Sequence, residues 1–186
     1  MTRWISYVTM CLIGLSVLAL FGAYCLFSSL AATAIHDSGF TAESELSQSS
    51  DAFRIVNQSL GPKEAGMDGP HPVADRLALE IHSEQATAGI GAHLTRLFIA
   101  RQLKQRFDTS ELTAEWLEHV YVGSGQYGVE TVSHDEFDKP FDELTNKEAM
   151  LIAALIKNPT IRTSPDRWKK EATRLREVYA PNRRDF

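Results

Sequence analysis

Hydrophobic residues form one continuous stretch near the N-terminus, and further along the chain they recur at helical spacing. Residues 4–35 contain no Asp, Glu, Lys, Arg or His. The most apolar part, residues 7–30, is long enough to cross a hydrocarbon core of about 30 Å as a single helix. The pattern therefore predicts a transmembrane anchor over residues 1–35.

A cleaved signal peptide is the alternative for this segment, because Ala32–Ala34 reads Ala-Thr-Ala and resembles a cleavage site. The apolar region of a signal peptide is normally about 7–15 residues long, which is shorter than this one. Only Arg3 is charged before the segment, whereas acidic residues follow it from Asp37 onward. We therefore predict a retained single-pass anchor, with the N-terminus in the cytoplasm and the rest of the chain outside.

Residues 36–72 are rich in Ser, Gln, Gly and Pro, and their Gly-Pro pairs disfavour regular structure. We predict a flexible tether over this range. An apolar patch within it is expected to dock onto the following domain, and it consists of Phe53, Ile55, Val56 and Leu60.

The hydrophobic positions recur at helical spacing over residues 73–180, where Leu77 and Ile81 begin the first apolar face. No stretch of this region shows the clear period-two alternation of a half-buried strand. We therefore predict an all-α domain over residues 73–180.

Two pairs of residues in this domain have the spacing of capping boxes, which open helices. They are Asp108 with Glu111 and Thr145 with Glu148. The second pair precedes an apolar helix that is expected to end before Pro159, because proline cannot continue a helix.

Composition excludes several kinds of site. Both cysteines, Cys11 and Cys25, lie in the apolar segment, so the rest of the chain can form neither a disulfide nor a thiolate metal site. His134, Asp135 and Glu136 are consecutive and point in different directions on a helix, so we predict no metal site and no cofactor. The net charge of −5 offers no broad basic field for a nucleic acid.

A glycine- and tyrosine-rich segment, LEHVYVGSGQYGVE over residues 117–130, follows an amphipathic helix pattern. Its glycines permit positive φ or a close approach of two backbones. Its tyrosines bring large apolar faces with one polar group each. Without further context, the segment is typical of an ordinary turn between helices.

The longer segment SELTAEWLEHVYVGSGQYGVE, residues 110–130, resembles a stretch that usually reads like KDEILELYLNRIYFGRGAYGVE in family-51 peptidoglycan glycosyltransferases. These are the transglycosylase domains of class A penicillin-binding proteins and the monofunctional transglycosylases. The likeness continues in register through Phe137–Lys139, Leu151–Pro159, Ser164–Pro165 and Arg174–Tyr179. The resemblance implies a lysozyme-like helical fold outside the bacterial inner (cytoplasmic) membrane, in the periplasm at the cell wall.

Members of this family polymerise lipid-linked disaccharide-pentapeptide, with a glutamate as general base and basic side chains near the diphosphate leaving group. That chemistry needs a carboxylate within hydrogen-bond reach of the acceptor and cations where phosphate charge develops. The resemblance implies substrate contacts by Tyr127, Glu130, Lys139 and Arg174. For Glu130, the alternative is a structural role as a cap or a salt bridge to a neighbouring helix.

The resemblance also implies that the domain is truncated and divergent. The family motif Glu-Asp-x-x-Phe-x-x-His-x-Gly has no counterpart in residues 36–95, and the glutamate of its Arg-Lys-x-x-Glu motif falls on Arg96. Arginine reverses the charge where a carboxylate is needed. Glu80 and Glu84 are candidate replacements, because they lie four residues apart on one predicted helix face and such a pair can divide acid and base roles.

A basic run lies near the C-terminal end of the chain. It is predicted to form a charged helix face, with contact to anionic lipid or diphosphate as the alternative. Its members are Arg162, Arg167, Lys169, Lys170, Arg174 and Arg176.

Three functions are compatible with these patterns. In the first, the domain binds peptidoglycan glycan, lipid-linked precursor or a cell-wall synthase without catalysis. In the second, it is an active glycan transferase or lytic transglycosylase that uses Glu80 and Glu84. In the third, it is a helical protein-interaction module, because fold alone does not determine function.

Overall fold

The computed structural model describes residues 2–42, 44–60, 73–83 and 89–179. The chain forms two compact units, one of Met1–Phe40 with Ala78–Gln105 and one of Thr41–Leu77 with Arg106–Phe186. The helices in the described ranges are α1 (Thr2–Asp37), α2 (Asp51–Ser59), α3 (Val73–Ser83), α4 (Ile90–Arg106), α5 (Thr109–His119), α6 (Val129–Phe137), α7 (Asn146–Lys157) and α8 (Pro165–Tyr179). The predicted all-α fold class with one N-terminal apolar helix is therefore confirmed.

In the first unit, α1 contains a segment, Leu12–Asp37, that is long and apolar enough to cross a membrane by length and composition. A signal sequence near an N-terminus passes the same test. The helix is therefore compatible with the predicted anchor, while its retention and its orientation in the membrane stay predictions.

The helix α4 packs against α1 through aromatic rings in the same unit. The Phe98 ring centre lies 5.4 Å from that of Tyr24 and 5.8 Å from that of Phe27. The Gln102 Nε2 atom also donates a hydrogen bond of 2.7 Å to the Ser28 carbonyl oxygen. The two helices are thus joined by ring packing and by a polar contact.

The core of the second unit is built around α7, which packs against α2 and α8. Seven of its residues are buried, including the run Ile152–Ile156. A helix whose apolar residues cover most of its circumference packs inside a domain. The predicted helix stop is confirmed, because α7 ends at Lys157 and a 3₁₀ helix, Pro159–Thr163, follows it.

Both predicted capping boxes are present. The Asp108 carboxylate accepts the Glu111 N–H at 2.8 Å, and the Glu111 carboxylate accepts the Asp108 N–H at 2.8 Å. The Thr145 hydroxyl and the Glu148 carboxylate make the same reciprocal pair at the start of α7. These bonds satisfy N–H groups that have no partner within the helix.

The predicted tether contains a packed helix. Ser50 caps the N-terminus of α2, and its hydroxyl accepts the Phe53 N–H at 3.1 Å. Phe53, Ile55 and Val56 are buried, so the apolar patch is part of the core of the second unit, as its expected docking requires. Residues 61–72 lie outside the described ranges, and the predicted domain boundaries stay a prediction.

The glycine- and tyrosine-rich segment forms a small hairpin of two strands, β1 (Tyr121–Gly123) and β2 (Gln126–Tyr127). The strands pair in antiparallel orientation. They are three and two residues long, too short to show period-two alternation in the sequence. The hairpin therefore adds a feature that the helical pattern did not predict.

Candidate functional site

The hairpin turns at Ser124 and Gly125, which have φ values of 55° and 77°. Positive φ at both central residues is the requirement of a type I′ turn, whose twist matches that of paired strands. Glycine meets this requirement without steric cost, and serine does so less readily. The local sequence therefore explains the hairpin, and the hairpin positions the two tyrosines.

Two further glycines let the backbone of the hairpin approach neighbouring segments. A Cβ atom on Gly123 would lie 2.4 Å from the Pro159 carbonyl oxygen, and one on Gly128 would lie 2.5 Å from the Glu118 carbonyl oxygen. Both residues have positive φ, of 92° and 83°. These glycines hold the hairpin against the 3₁₀ helix after α7 and against the end of α5.

Tyr121 and Tyr127 form an exposed aromatic pair on the hairpin. Their ring centres lie 5.2 Å apart, with the planes inclined at 54°. The exposed fractions are 43% for Tyr121 and 61% for Tyr127. The pair presents apolar ring faces and polar hydroxyl groups to the surroundings of the hairpin.

The buried side chain of Arg162 contacts the hairpin. Its side chain is only 7% exposed, and its guanidinium lies 3.0 Å from a Glu136 carboxylate oxygen and 3.6 Å from one of Asp135. It also donates to the Gln126 side-chain oxygen and, at 3.4 Å, to the Gly123 carbonyl oxygen. The planar fork of arginine suits such a set of acceptors.

The interpretation of Arg162 as part of a charged helix face is therefore wrong. Arg162 lies in the 3₁₀ helix before α8, and the tertiary fold turns its side chain inward. The sequence placed it among other cations, and nothing in that spacing distinguished a buried arginine from an exposed one.

Glu130 makes structural contacts at the start of α6. Its Oε2 atom accepts the Phe141 N–H at 3.0 Å, which caps the 3₁₀ helix Phe141–Glu143. Its Oε1 atom lies 3.0 Å from His134 Nε2. The Phe141 contact matches the capping alternative for this residue. The His134 contact lies within α6 and does not reach a neighbouring helix. A substrate role for Glu130 stays a prediction.

A concavity of about 360 Å³ lies beside the hairpin. Half of its lining residues are acidic, and the lining is made by Glu45, Leu46, Glu118, Gly128, Glu130, Thr131, Pro140 and Asp142. The segment before α2 closes part of it, because the Glu45 N–H donates to Glu118 Oε1 at 2.8 Å and the Ser47 N–H donates to Asp142 Oδ2 at 3.2 Å. The chain itself thus occupies one edge of this concavity.

Lys139 and Arg174 lie in different surroundings. Lys139 Nζ is 3.0 Å and 3.2 Å from the two carboxylate oxygens of Glu148, the capping residue of α7. The bonds from Thr145, and then the bond from Lys139, hold the pKa of Glu148 below its usual range. Arg174 pairs with Glu171 on α8 and lines another concavity. Substrate roles for both cations stay predictions.

The candidate acid pair is described only in part. Glu80 is an exposed residue of α3, and Glu84 lies outside the described residues. Arg96, which the sequence resemblance predicts at the position of the family glutamate, is on α4 with its guanidinium 2.9 Å from His93 Nδ1. A catalytic role for the two glutamates therefore stays a prediction.

Comparison with known proteins agrees with the resemblance seen in the sequence. A family model described as Transglycosylase matches residues 74–181, more than half of the 186 residues. Penicillin-binding protein 1A of Aquifex aeolicus is 39% identical over 111 residues, which are 59% of this chain and 15% of that protein. Penicillin-binding protein 1A of Mycobacterium tuberculosis is 31% identical over 83 residues, which are 45% of this chain and 10% of that protein.

Penicillin-binding protein 4 of Bacillus subtilis is 34% identical over 68 residues, which are 37% of this chain and 11% of that protein. The chain therefore spans only 10% to 15% of the length of these relatives. The matched range contains the hairpin, Arg162 and the capped helix α7. The resemblance seen in the sequence is confirmed, and the chain belongs to the transglycosylase family.

Proposed function

We propose that this protein acts in peptidoglycan biogenesis as a membrane-anchored domain that binds peptidoglycan glycan or its lipid-linked precursor without polymerising it. The observation that carries the proposal is the family match over residues 74–181. It is combined with the prediction from the sequence resemblance that Arg96 takes the position of the family glutamate. The family match supports the class of ligand, and an arginine in place of the glutamate argues against polymerisation of the precursor.

The carboxylates beside the hairpin also argue against catalysis. Glu130 has one oxygen on the Phe141 N–H and the other at His134. Glu118 accepts the Glu45 N–H through one of its oxygens. A general base must reach the hydroxyl that it deprotonates. A carboxylate whose oxygens already accept hydrogen bonds from the protein is poorly suited to that task.

The ligand surface in this proposal is the exposed pair Tyr121 and Tyr127. A sugar ring has an apolar face and a polar rim, and the pair offers an apolar surface of similar width with hydroxyl groups at its edge. A cell-wall synthase is the corresponding protein partner, and the extracytoplasmic side of the bacterial cytoplasmic membrane is the corresponding location.

Binding of the full chain in lipid nanodiscs to labelled lipid-linked precursor, and separately to purified glycan strands, tests the proposal. We expect Tyr121→Ala with Tyr127→Ala to weaken binding about tenfold, since one aromatic contact contributes about 0.5–1.5 kcal/mol. Val178→Ala, which truncates an exposed apolar residue of α8, is the matched control and should bind normally.

A polymerisation assay on the same sample separates the proposal from its alternatives. We expect no glycan strands from the precursor. Strand formation that is abolished by Glu84→Gln or Glu80→Gln would establish an active transferase with a rebuilt acid pair. Absence of binding to both ligands would contradict the proposal, and binding to a cell-wall synthase or to another protein would remain as the hypotheses.

A further inference from the structure

A positively charged surface lies on the outer side of α7 and α8, within the second unit. Two adjacent concavities, of about 640 Å³ and 220 Å³, share Thr173 in their linings. The cations that line them are Lys147, Arg167, Lys169, Lys170, Arg174 and Arg176. We call this set the α8 cationic surface.

The helical spacing of α8 produces this surface. Lys169, Thr173 and Arg176 are four and three residues apart and therefore share one side of the helix. Arg167, Lys170 and Arg174 form the adjacent row. Lys147 adds a cation from the first turn of α7, and the floor of the smaller concavity is apolar, with Met150, Leu151 and Ala172.

Charge is strongly concentrated here. Only two carboxylates line the two concavities, Glu171 and Glu177, so six cations minus two anions leave a local charge of +4. The whole chain has a net charge of −5. Clusters of about four to eight Lys and Arg close to a membrane attract anionic phospholipid, and this cluster has six.

We propose that the α8 cationic surface binds the phosphate headgroups of anionic phospholipid in the bilayer in which the same chain is anchored. The headgroups supply negative charge, and the apolar floor offers contact to the first carbons of the acyl chains. The apolar segment of α1 favours this partner over soluble anions, because covalent linkage to a membrane helix gives the surface a high effective concentration of lipid. This proposal does not depend on glycan binding by the tyrosine pair.

Lipid-proximity fluorescence in nanodiscs tests the proposal on the full chain. A Thr173→Cys variant with Cys11→Ser and Cys25→Ser carries a fluorophore at the centre of the surface, and the lipids carry headgroup spin labels that quench it. Thr131→Cys on α6 is the control position for the label. Discs of phosphatidylcholine alone are compared with discs that contain phosphatidylglycerol.

We expect quenching at position 173 to be severalfold greater in the phosphatidylglycerol discs and unchanged at position 131. About 0.5 M salt should abolish the difference, because exposed charges are then screened within a few ångströms. Lys147→Gln with Lys169→Gln and Lys170→Gln should reduce headgroup association at least about tenfold. The same three positions changed to Arg should retain it, because charge is preserved.

Equal quenching in both kinds of disc would overturn the proposal, as would quenching that the triple Gln variant leaves unchanged. Quenching that requires lipid-linked precursor, and is absent with phosphatidylglycerol, would also overturn it and would assign the surface to diphosphate recognition. Precursor and glycan binding in phosphatidylcholine discs reports on the tyrosine pair alone, so failure of either proposal can be distinguished from failure of the other.

Discussion

At the scale of single residues, the hairpin contains two glycines with the same backbone requirement and different surroundings. Both Gly123 and Gly125 have positive φ. A Cβ on Gly123 would lie 2.4 Å from the Pro159 carbonyl oxygen, whereas one on Gly125 would meet no atom within 4 Å. Substitution of Gly125 therefore costs only the strained φ, and substitution of Gly123 must also move backbone.

We expect Gly123→Ala to lower the free energy of unfolding by about 2–3 kcal/mol and Gly125→Ala by about 1 kcal/mol. Thermal and urea unfolding of the purified full chain in detergent measure both variants. Equal losses would mean that the 3₁₀ helix after α7 moves away from the hairpin without cost.

Lys157, the last residue of α7, predicts a dependence of stability on pH. Burial, with a smaller effect of the Arg174 charge, lowers the pKa of Lys157 from its ordinary 10.5 to about 8. Its Nζ atom lies 4.9 Å from the centre of the Tyr179 ring. Between pH 8 and 10.5 the unfolded chain binds the proton that the folded chain has lost, so this site makes stability rise with pH over that range.

We expect Lys157→Met to be more stable than the parent chain below pH 8, with an advantage that shrinks as the pH rises to about 9.5. Melting temperatures at a series of pH values measure this difference. Lys170→Met, at an exposed position of α8, is the control for the loss of a surface lysine. A difference between Lys157→Met and the parent that does not change with pH would contradict the assignment.

At the scale of elements, α2 lies in a segment whose composition predicts a flexible tether, whereas its structure is that of a helix packed in the core. Phe53 is 2% exposed and packs in the core of the second unit. Phe53→Ala is expected to cost about 3–4 kcal/mol of unfolding free energy, because it removes a buried ring and leaves a cavity. Arg54→Ala, next to it on the solvent side, should cost less than about 0.5 kcal/mol.

Denaturation midpoints of the two variants decide whether α2 belongs to the folded domain. Similar midpoints would restore the interpretation of residues 51–59 as tether. The elements that the sequence predicted well were those with local signals, such as the capping boxes at Asp108 and Thr145, whose partners lie three residues away. The hairpin was not predicted, because strands of three and two residues carry no period.

At the scale of the whole molecule, the apolar stretch of α1 and the single charge before that stretch, Arg3, predict an exported domain. Alkaline phosphatase fused to the C-terminus should be active in bacterial cells, and green fluorescent protein fused there should stay dark, because it does not fold after export. A product of full length would support a retained anchor, and one shortened by about 34 residues would support a cleaved signal peptide. A bright C-terminal fusion would contradict the predicted orientation.

The candidate site was predictable only in outline. The segment over residues 110–130 indicated the family, and the family match confirmed it. The sequence did not predict which residues Glu130 and Lys139 contact. Those partners come close only because the fold brings α6, α7 and their connection together. The role of Arg162 was missed for the same reason.

The sequence by itself determined the apolar helix, the two capped helix starts, the stop at Pro159 and the family, because each depends on neighbouring residues or on one contiguous stretch. Only the tertiary structure decided which charged side chains form contacts within the fold. The bond from the Glu45 N–H to Glu118 joins residues 73 positions apart, and Arg162 reaches Gly123 across 39 positions. Such contacts depend on how helices pack, and local pattern carries no information about them.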